Sequence, residues 1–350
     1  MAAGAASALA ASAPSGGAPA VCLRLVSKST LPASAGAAQD VRWVRAPDRV
    51  ALSLGAGGVV EYVWEAEALE SPPLLVAGDN GRRRFHSARL GLSEEYVVSG
   101  APFFVLHWRA RTSSLVNTSP AELQLDLVAD LDVHGEQVAV LGARRGPEGR
   151  FAPGDEVLWT GSLASGLSSL SPRLRASGDA ARTMGTCGIF DVGVLRYLPD
   201  GTLLVLQGVE AGLVRLAADG QRLQSWDTDI VGIETTCGIA EEERGSFLGS
   251  GTIRHLFWIN QRRIAEDIVP LPGGFGVLVR RWENGATRWS LVPVIAGMAG
   301  VAVDLPVTDP SPFAHLRADA RGPNLVLLVF EKRARRSPFP PRLVGVEWRC

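Results

Sequence analysis

The segment from Phe190 to Thr228, FDVGVLRYLPDGTLLVLQGVEAGLVRLAADGQRLQSWDT, constrains the fold more than any other part of the sequence. It contains four short runs rich in Val and Leu. Pro199-Asp200-Gly201 lies between the first and second runs, and Asp219-Gly220 lies between the third and fourth. Apolar runs of this length, interrupted at this spacing by Gly, Pro and Asp, are typical of β-strands joined by tight turns. The segment therefore predicts an antiparallel meander of four strands.

The same pattern recurs along most of the chain. A four-stranded meander cannot bury both of its faces alone, so repeated meanders arranged around an axis form a β-propeller. The sequence therefore predicts an all-β fold, a six-bladed β-propeller. Its six units are residues 41–76, 85–127, 128–163, 190–228 and 264–295, and a three-stranded unit that begins near Phe313 and ends at Trp348.

The last unit lacks one strand, while an apolar stretch, Val21 to Val26, remains unassigned at the other end of the chain. Propellers commonly close by pairing a terminal strand into the final blade, which removes an exposed strand edge. We expect Val21 to Val26 to pair antiparallel with Leu343 to Trp348. This pairing would bring Cys22 close to Cys350, so we predict a disulfide between them.

Two phrases, LRYLPDGTLLVLQGVEAGLVRLAADGQRLQSW and VADLDVHGEQVAVLGARR, resemble blades of six-bladed propellers of the NHL-repeat or TolB-like kind. Over residues 41–348 the chain is similar to uncharacterised secreted bacterial propeller proteins. The likeness rests on the general blade pattern rather than on catalytic residues. It implies a propeller architecture and little about chemistry.

The tetrapeptide TCGI occurs twice and contains Cys187 and Cys237. In the blade template both cysteines lie in connections between successive blades, on the same face of the ring. They can form a disulfide if their Cα atoms come within about 7 Å. Four cysteines allow three pairings, of which we expect Cys187 with Cys237 and Cys22 with Cys350. The alternative is that Cys187 and Cys237 are reduced and buried.

The strand pattern stops between the fourth and fifth units, at about residues 237–262. The apolar spacing there indicates one or two short amphipathic helices. Such an insertion would cover one mouth of the propeller as a lid, or fill a gap between blades.

Composition limits the partners and the compartment. With 350 residues, 46% of them hydrophobic, the chain can bury a large core, and its net charge of -1 favours neither nucleic acid nor an anionic membrane. The best apolar stretch, Leu291 to Val303, is too short to span a bilayer. We expect one propeller domain over residues 21–350. Residues 1–20 read as a disordered leader or as the remnant of a signal peptide, which favours a secreted or periplasmic protein over a cytoplasmic one.

The sequence contains no catalytic signature such as G-x-S-x-G or H-E-x-x-H. Asp130 and Asp132 begin a stretch that imitates a calcium-binding loop, but Leu141 stands where that loop requires a bidentate Glu. We assign no catalytic residue, no metal site and no cofactor. The candidate channel residues are polar groups on first strands, which would either bind a polar ligand or satisfy one another around trapped water: Asp130, Asp191, Arg196, Asp267, His315 and Arg317.

These features favour a monomeric, non-catalytic scaffold that binds an unknown protein or a small polar ligand through one mouth of the ring. The sequence leaves enzymatic activity open but favours its absence. The alternative is a metal-dependent hydrolase or lactonase-like propeller enzyme with a site in the channel.

Overall fold

The computed structural model consists of β-strands around a central axis. Between residues 84 and 118 the description covers the backbone alone. The described residues are 23–32, 35, 38–44, 48–54, 58–64, 67–69, 84–90, 95–101, 104–109, 114–118, 125, 127–143, 156–165, 167, 170–175, 193–206, 212–233, 262–331 and 340–349.

The first three sheets are antiparallel meanders in which each strand pairs with the next along the chain. They form where Val- and Leu-rich runs alternate with turns. Sheet 1 contains β2 (Asp40–Trp43), β3 (Arg49–Ser53), β4 (Val59–Val63) and β5 (Ala68–Leu69); sheet 2 contains β6 (Arg84–Leu90), β7 (Glu95–Ala101), β8 (Phe104–Arg109) and β9 (Ser114–Thr118); sheet 3 contains β10 (Leu127–His134), β11 (Gln137–Ala143), β12 (Glu156–Ser162) and β13 (Ser171–Arg175).

The last three sheets follow the same plan, and sheet 5 gains a fifth strand because β22 also pairs with β20. Sheet 4 contains β14 (Val194–Tyr197), β15 (Leu203–Leu206), β16 (Gly212–Leu216) and β17 (Arg222–Asp227); sheet 5 contains β18 (Ile264–Leu271), β19 (Gly274–Glu283), β20 (Ala286–Ile295), β21 (Met298–Ala299) and β22 (Val303–Asp309); sheet 6 contains β23 (Ala314–Arg321), β24 (Asn324–Glu331), β25 (Arg342–Trp348) and the N-terminal strand β1 (Leu23–Thr30).

The six sheets form a closed ring. The first strand of each sheet contacts the first strands of the sheets on either side, in the order β2, β6, β10, β14, β18, β23 and back to β2. Because each first strand has a paired neighbour on one side only, its other edge faces the axis. The prediction of an all-β propeller is confirmed.

The predicted closing strand is also confirmed, although it lies slightly further along the chain than Val21 to Val26. β1 pairs antiparallel with β25, from Leu23 opposite Trp348 to Thr30 opposite Arg342. Its side chains also reach sheet 1, where the Trp64 indole N–H donates to the Ser27 hydroxyl at 2.9 Å. The N-terminal strand therefore completes sheet 6 and contacts the sheet that follows it.

Apolar layers between neighbouring sheets supply the core. Trp289 is fully buried in a cluster shared by sheets 5 and 6, and Leu52 is fully buried in a cluster shared by sheets 6 and 1. Burying a side chain of this size stabilises the fold by about 1.5 to 3 kcal/mol. Each sheet is thus stabilised by the sheets on either side of it.

Several predicted features fall outside the described residues, namely the four cysteines, the segment 1–20 and the helical insertion at 237–262. The described part of the connection between β17 and β18 contains a 3-10 turn, Thr228–Val231, and no α-helix. Within the described residues no helix has the length and hydropathy needed to cross a membrane.

Candidate functional site at the ring axis

Charged side chains concentrate on the first strands because those strands have an unpaired edge. A buried backbone N–H or C=O group without a partner costs about as much free energy as a lost hydrogen bond. Around the axis, carboxylate and guanidinium groups from neighbouring first strands supply the missing partners.

Two aspartates of β10 bind the backbone of β14. The Asp130 carboxylate accepts a hydrogen bond from the backbone N–H of Leu195 at 3.1 Å, and the Asp132 carboxylate accepts one from that of Tyr197 at 2.8 Å. From Asp130 to Asp132 the chain advances by two residues along β10, and their partners, Leu195 and Tyr197, advance by two residues along β14. The two first strands therefore run in the same direction, joined through side chains rather than through a backbone ladder.

Hydrogen bonds of the same kind, from a backbone N–H group to an aspartate of a neighbouring first strand, join sheets 5, 6 and 1. The Asp267 carboxylate accepts a hydrogen bond from the backbone N–H of Ala318 at 3.0 Å, and the Asp319 carboxylate accepts one from that of Trp43 at 2.8 Å. One aspartate thus links β18 to β23, and the other links β23 to β2.

Two buried arginines supply donors in the same region. Arg196 donates from Nε to the Ile268 carbonyl at 2.9 Å and from a terminal nitrogen to the Asp267 carboxylate at 2.5 Å. Arg42 donates to the Ala318 carbonyl at 2.5 Å, and the same nitrogen lies 3.8 Å from the Asp267 carboxylate. Asp267 therefore lies between two guanidinium groups that come from different sheets.

The electrostatics of this cluster follow from burial and from these ion pairs. Burial acts to raise the pKa of Asp267, but Arg196, Arg42 and Arg317 outweigh it and hold that pKa well below its usual range. Burial also acts to lower the pKa of Arg196, yet surrounding carboxylates, Asp267 first, raise it well above the ordinary value. These groups stay charged at neutral pH because each stabilises the other.

Asp319 behaves differently. Burial raises the pKa of its carboxyl group, and Arg42 and Arg196 only partly offset this effect. Asp132 contributes in the same direction as burial, because it is a like charge nearby. Negative charge is therefore less well compensated at Asp319 than at Asp267.

A second group surrounds Glu266, close to the beginning of β23. Its carboxylate lies 3.2 Å from His315 Nδ1 and 3.6 Å from Arg280 Nε. Burial acts to raise the pKa of Glu266, but His315 and Arg280 lower it below the ordinary value. Arg317 donates to the Glu266 backbone carbonyl at 3.1 Å.

A cavity of about 240 Å³ lies where the first strands end. We call it the axial cavity. The first strands of all six sheets end on one face of the ring, which we call the strand-end face. The axial cavity is lined by two arginines, two aspartates, aromatic rings, prolines and two aliphatic residues: Arg42, Trp43, Asp132, Val133, His134, Arg196, Tyr197, Leu198, Pro199, Pro270 and Asp319.

Five of the six predicted channel residues belong to these axial groups: Asp130, Arg196, Asp267, His315 and Arg317. The sixth, Asp191, falls outside the described residues. Whether they bind a ligand stays a prediction, since the contacts above are with the protein itself. Asp130 and Asp132 accept backbone hydrogen bonds, and no group of metal-ligating side chains occurs in the described ranges.

Sequence reasoning did not propose Arg42, Glu266 or Asp319 as channel residues. A usable signal existed for Asp319, because it follows Arg317 by two residues and side chains two apart in a strand point to the same face. Arg42 lies in a strand of only four residues, which is too short for the alternation of side chains to show which of them face the axis.

Comparison with known proteins agrees with this geometry. The crystal structure of the RRP9 WD40 repeats matches with a TM-score of 0.52 at 9% sequence identity, and the match covers 93% of this chain and 100% of that one. The structure of U3-55K matches with a TM-score of 0.47 at 11% identity, covering 94% and 99% of the two chains. No family model and no curated protein matches the sequence. The first likeness shows that this chain has the fold of a β-propeller.

Proposed function

We propose that this chain is a non-catalytic protein-interaction scaffold, with each of its six sheets acting as one blade, and that it binds its partner at the strand-end face. The observation that carries the proposal is the presence, on that one face, of the axial cavity and of a strongly exposed apolar segment. WD40-like propellers are similar in fold, which is consistent with a scaffold.

The apolar segment comprises Met298, Ala299, Gly300, Val301 and Ala302, which are all exposed. We call it the apolar ledge. Met298 is 73% exposed and Val301 is 86% exposed. Exposed apolar clusters on soluble proteins commonly mark sites of protein contact, because covering them removes apolar surface from water.

The strand register places the apolar ledge on the strand-end face. Leu271, at the end of β18, pairs with Gly274 at the beginning of β19, and Gly274 in turn pairs with Ile295 at the end of β20. The ledge follows Ile295 directly. It therefore lies on the same face as Pro270, which lines the axial cavity.

Hydrogen bonds hold the ledge in a defined conformation. The backbone N–H of Gly300 donates to the Pro293 carbonyl at 2.8 Å, and the Trp226 indole N–H of sheet 4 donates to the Gly297 carbonyl at 2.9 Å. A surface that is already ordered loses less conformational entropy when a partner binds. The ledge is thus suited to binding rather than to filling a gap in the core.

The metal-dependent hydrolase alternative finds no specific support at the axis. An enzyme of that kind needs carboxylate oxygens directed at a metal or a substrate. Here Asp132, Asp267 and Asp319 accept hydrogen bonds from backbone N–H groups of neighbouring first strands. Their evident role is to hold the sheets together.

Export, and with it the NHL-like or TolB-like type, is part of this proposal. We expect labelling of free thiols in denatured, unreduced protein to find none, because export to an oxidising compartment would pair Cys22 with Cys350 and Cys187 with Cys237. Four reactive thiols would contradict both disulfides and favour a cytoplasmic protein. Reduced protein, labelled in parallel, controls for the accessibility of the cysteines.

Photocrosslinking tests the binding face. The benzophenone amino acid p-benzoylphenylalanine replaces Met298 on the ledge, and in a control variant it replaces Asn284, an exposed residue of the turn between β19 and β20 on the opposite face. We expect the Met298 variant, irradiated in its native cells, to give one adduct of defined mass that the Asn284 variant does not give. No adduct at Met298, or the same adducts at both positions, would overturn the proposal.

A further inference from the structure

We infer that the outer edge of β17 binds an extended segment of the partner protein as an added β-strand, and that apolar side chains of this segment rest on the apolar ledge. This inference rests on the proposed function, because it names the form in which the partner lies beside the ledge.

β17 is an outer strand with little of its surface covered. It lies at the end of sheet 4, and in the described part of the chain no strand pairs with its outer edge. Five of its six residues are exposed, and Leu223 is 50% exposed. The outer strand β22, in contrast, buries Leu305 and Val307 in the apolar cluster shared with sheet 6. Both the backbone and the side chains of β17 are therefore accessible to a partner.

The turn between β16 and β17 determines which residues of β16 bind β17. The Ala217 N–H donates to the Gln221 carbonyl at 2.8 Å, so these two residues face each other as a hydrogen-bonded pair. Along a strand of an antiparallel sheet, residues that bind one neighbouring strand alternate with residues that bind the other. Arg215 and Leu213 therefore also direct their backbone N–H and C=O groups toward β17.

The register then shows which backbone groups of β17 point outward. Gln224 and Trp226 lie opposite those two residues of β16, so both bind β16. Ser225 lies between them and directs its N–H and C=O groups away from the sheet, and Asp227 does the same at the end of the strand. Outward N–H and C=O groups two residues apart are the groups with which an added strand forms hydrogen bonds.

Three other outer strands carry features that oppose strand addition. Pro172 lies in β13 and Pro306 lies in β22, and proline lacks the N–H group that an added strand would bind. β1 contains a bulge at Val26 and also Lys28. β17 contains neither proline nor lysine, and its register shift is confined to its first residues. Of these four outer strands, β17 has the edge most open to pairing.

The apolar ledge lies to one side of this open edge. The Trp226 indole N–H donates to the Gly297 carbonyl, and a methyl group added at Gly297 would lie 3.0 Å from the Gln224 amide nitrogen. Gly297 directly precedes Met298, the first residue of the ledge. Side chains of a strand alternate between its two faces. Every second side chain of the added strand therefore lies on the ledge side, and we expect those side chains to be apolar.

The two ends of β17 specify charges in the partner. Arg222 is exposed at the beginning of the strand, and Asp227 is exposed at its end. Opposite charges beside each other on neighbouring strands stabilise strand pairing, and like charges destabilise it. We expect the bound segment to match the six residues of β17, with an acidic residue beside Arg222, a basic residue beside Asp227 and apolar residues at alternate positions between them.

Photocrosslinking in proline variants tests the inference. p-Benzoylphenylalanine replaces Met298, as in the test of the binding face, and is combined with Ser225→Pro, which removes the outward N–H, or with Ser225→Thr, which keeps it. We expect Ser225→Pro to lower the yield of the adduct at least fivefold, because a hydrogen bond is lost and the proline ring projects toward the added strand. Ser225→Thr should leave the yield unchanged.

An unchanged yield in Ser225→Pro, or an equal loss in both variants, would overturn the inference and leave the proposed function standing. No adduct even when Ser225 is intact would contradict the proposed function and this inference with it. Urea denaturation first shows that each variant is folded. If Ser225→Pro does not fold, Asp227→Pro takes its place, with Asp227→Ala as the control that keeps the outward N–H, and the same outcomes decide.

Discussion

Replacing Asp267 with asparagine should lower the free energy of unfolding by about 3 to 5 kcal/mol. The carboxylate is fully buried between Arg196 and Arg42, and it also accepts the Ala318 N–H from the neighbouring sheet. Asparagine keeps the shape but removes the carboxylate that lies between the two buried guanidinium groups, which leaves Arg196 with Asp132 at 3.8 Å and Arg42 with Asp40 at 3.4 Å. Urea denaturation at neutral pH, followed by tryptophan fluorescence, measures the loss.

Asp304→Asn is the matched control for this variant. Asp304 pairs with Arg281 at 2.8 Å, but its side chain is 64% exposed, so its loss should cost about 1 kcal/mol or less. Similar unfolding midpoints for Asp267→Asn and Asp304→Asn would show that the axial ion pairs do not stabilise the ring.

The same variant should differ from the wild type in acid. The pKa of Asp267 is lower in the folded state than the ordinary carboxyl value, so its contribution to stability is complete above about pH 5 and is lost as the pH falls toward the folded-state pKa. We expect the free energy of unfolding of the wild type to fall between about pH 5 and pH 2, and that of Asp267→Asn to fall less steeply.

Deleting β1, residues 23–30, should destabilise the ring by at least about 3 kcal/mol or prevent folding, because apolar burial and strand hydrogen bonds are lost together. The deletion removes the partner strand of β25, the buried side chain of Leu23 and the hydrogen bond between Trp64 and Ser27. β25 would then become an exposed edge that favours aggregation. Thermal unfolding and size-exclusion chromatography measure both effects.

A smaller change tests the pairing of β1 with β25 in a protein that still folds. A methyl group added at Gly345 in β25 would lie 2.5 Å from the Ser27 Oγ atom of β1, so Gly345→Ala should cost about 1 to 3 kcal/mol. Ser27→Ala removes that oxygen. The double variant should therefore lose less stability than the sum of the two single variants, and strict additivity would contradict the contact.

The strands could be predicted because they depend on local pattern. The turn predicted at Pro199-Asp200-Gly201 lies between β14, which ends at Tyr197, and β15, which begins at Leu203. Closure by β1 also follows from simple reasoning, since a propeller with an incomplete last sheet has an open edge to fill.

The pairing of charges at the axis could not be predicted, because it depends on β-bulges. The register of β18 shifts between Ala265 and Asp267, so that Glu266 and Asp267 both bind β23 although they are adjacent. A two-residue period assigns only one of them to the axis. A similar shift occurs in β10 between Val128 and Asp130.

The apolar ledge could not be predicted either. In the sequence, Leu291 to Val303 reads as one apolar run, which favours burial. The structure buries Leu291 and Val292 in β20 but leaves Met298 and Val301 on the surface. Hydropathy cannot separate these two halves, because exposure depends on which sheet packs against each of them.

Amide-to-amide nuclear Overhauser contacts in perdeuterated protein test the closed ring most directly. Our account predicts cross-strand contacts between residues 23–30 and residues 342–348 in antiparallel order, with Thr30 near Arg342 and Leu23 near Trp348. A series of cross-strand contacts that pairs residues 23–30 with another strand instead of β25, or no cross-strand contacts of residues 23–30 at all, would contradict it.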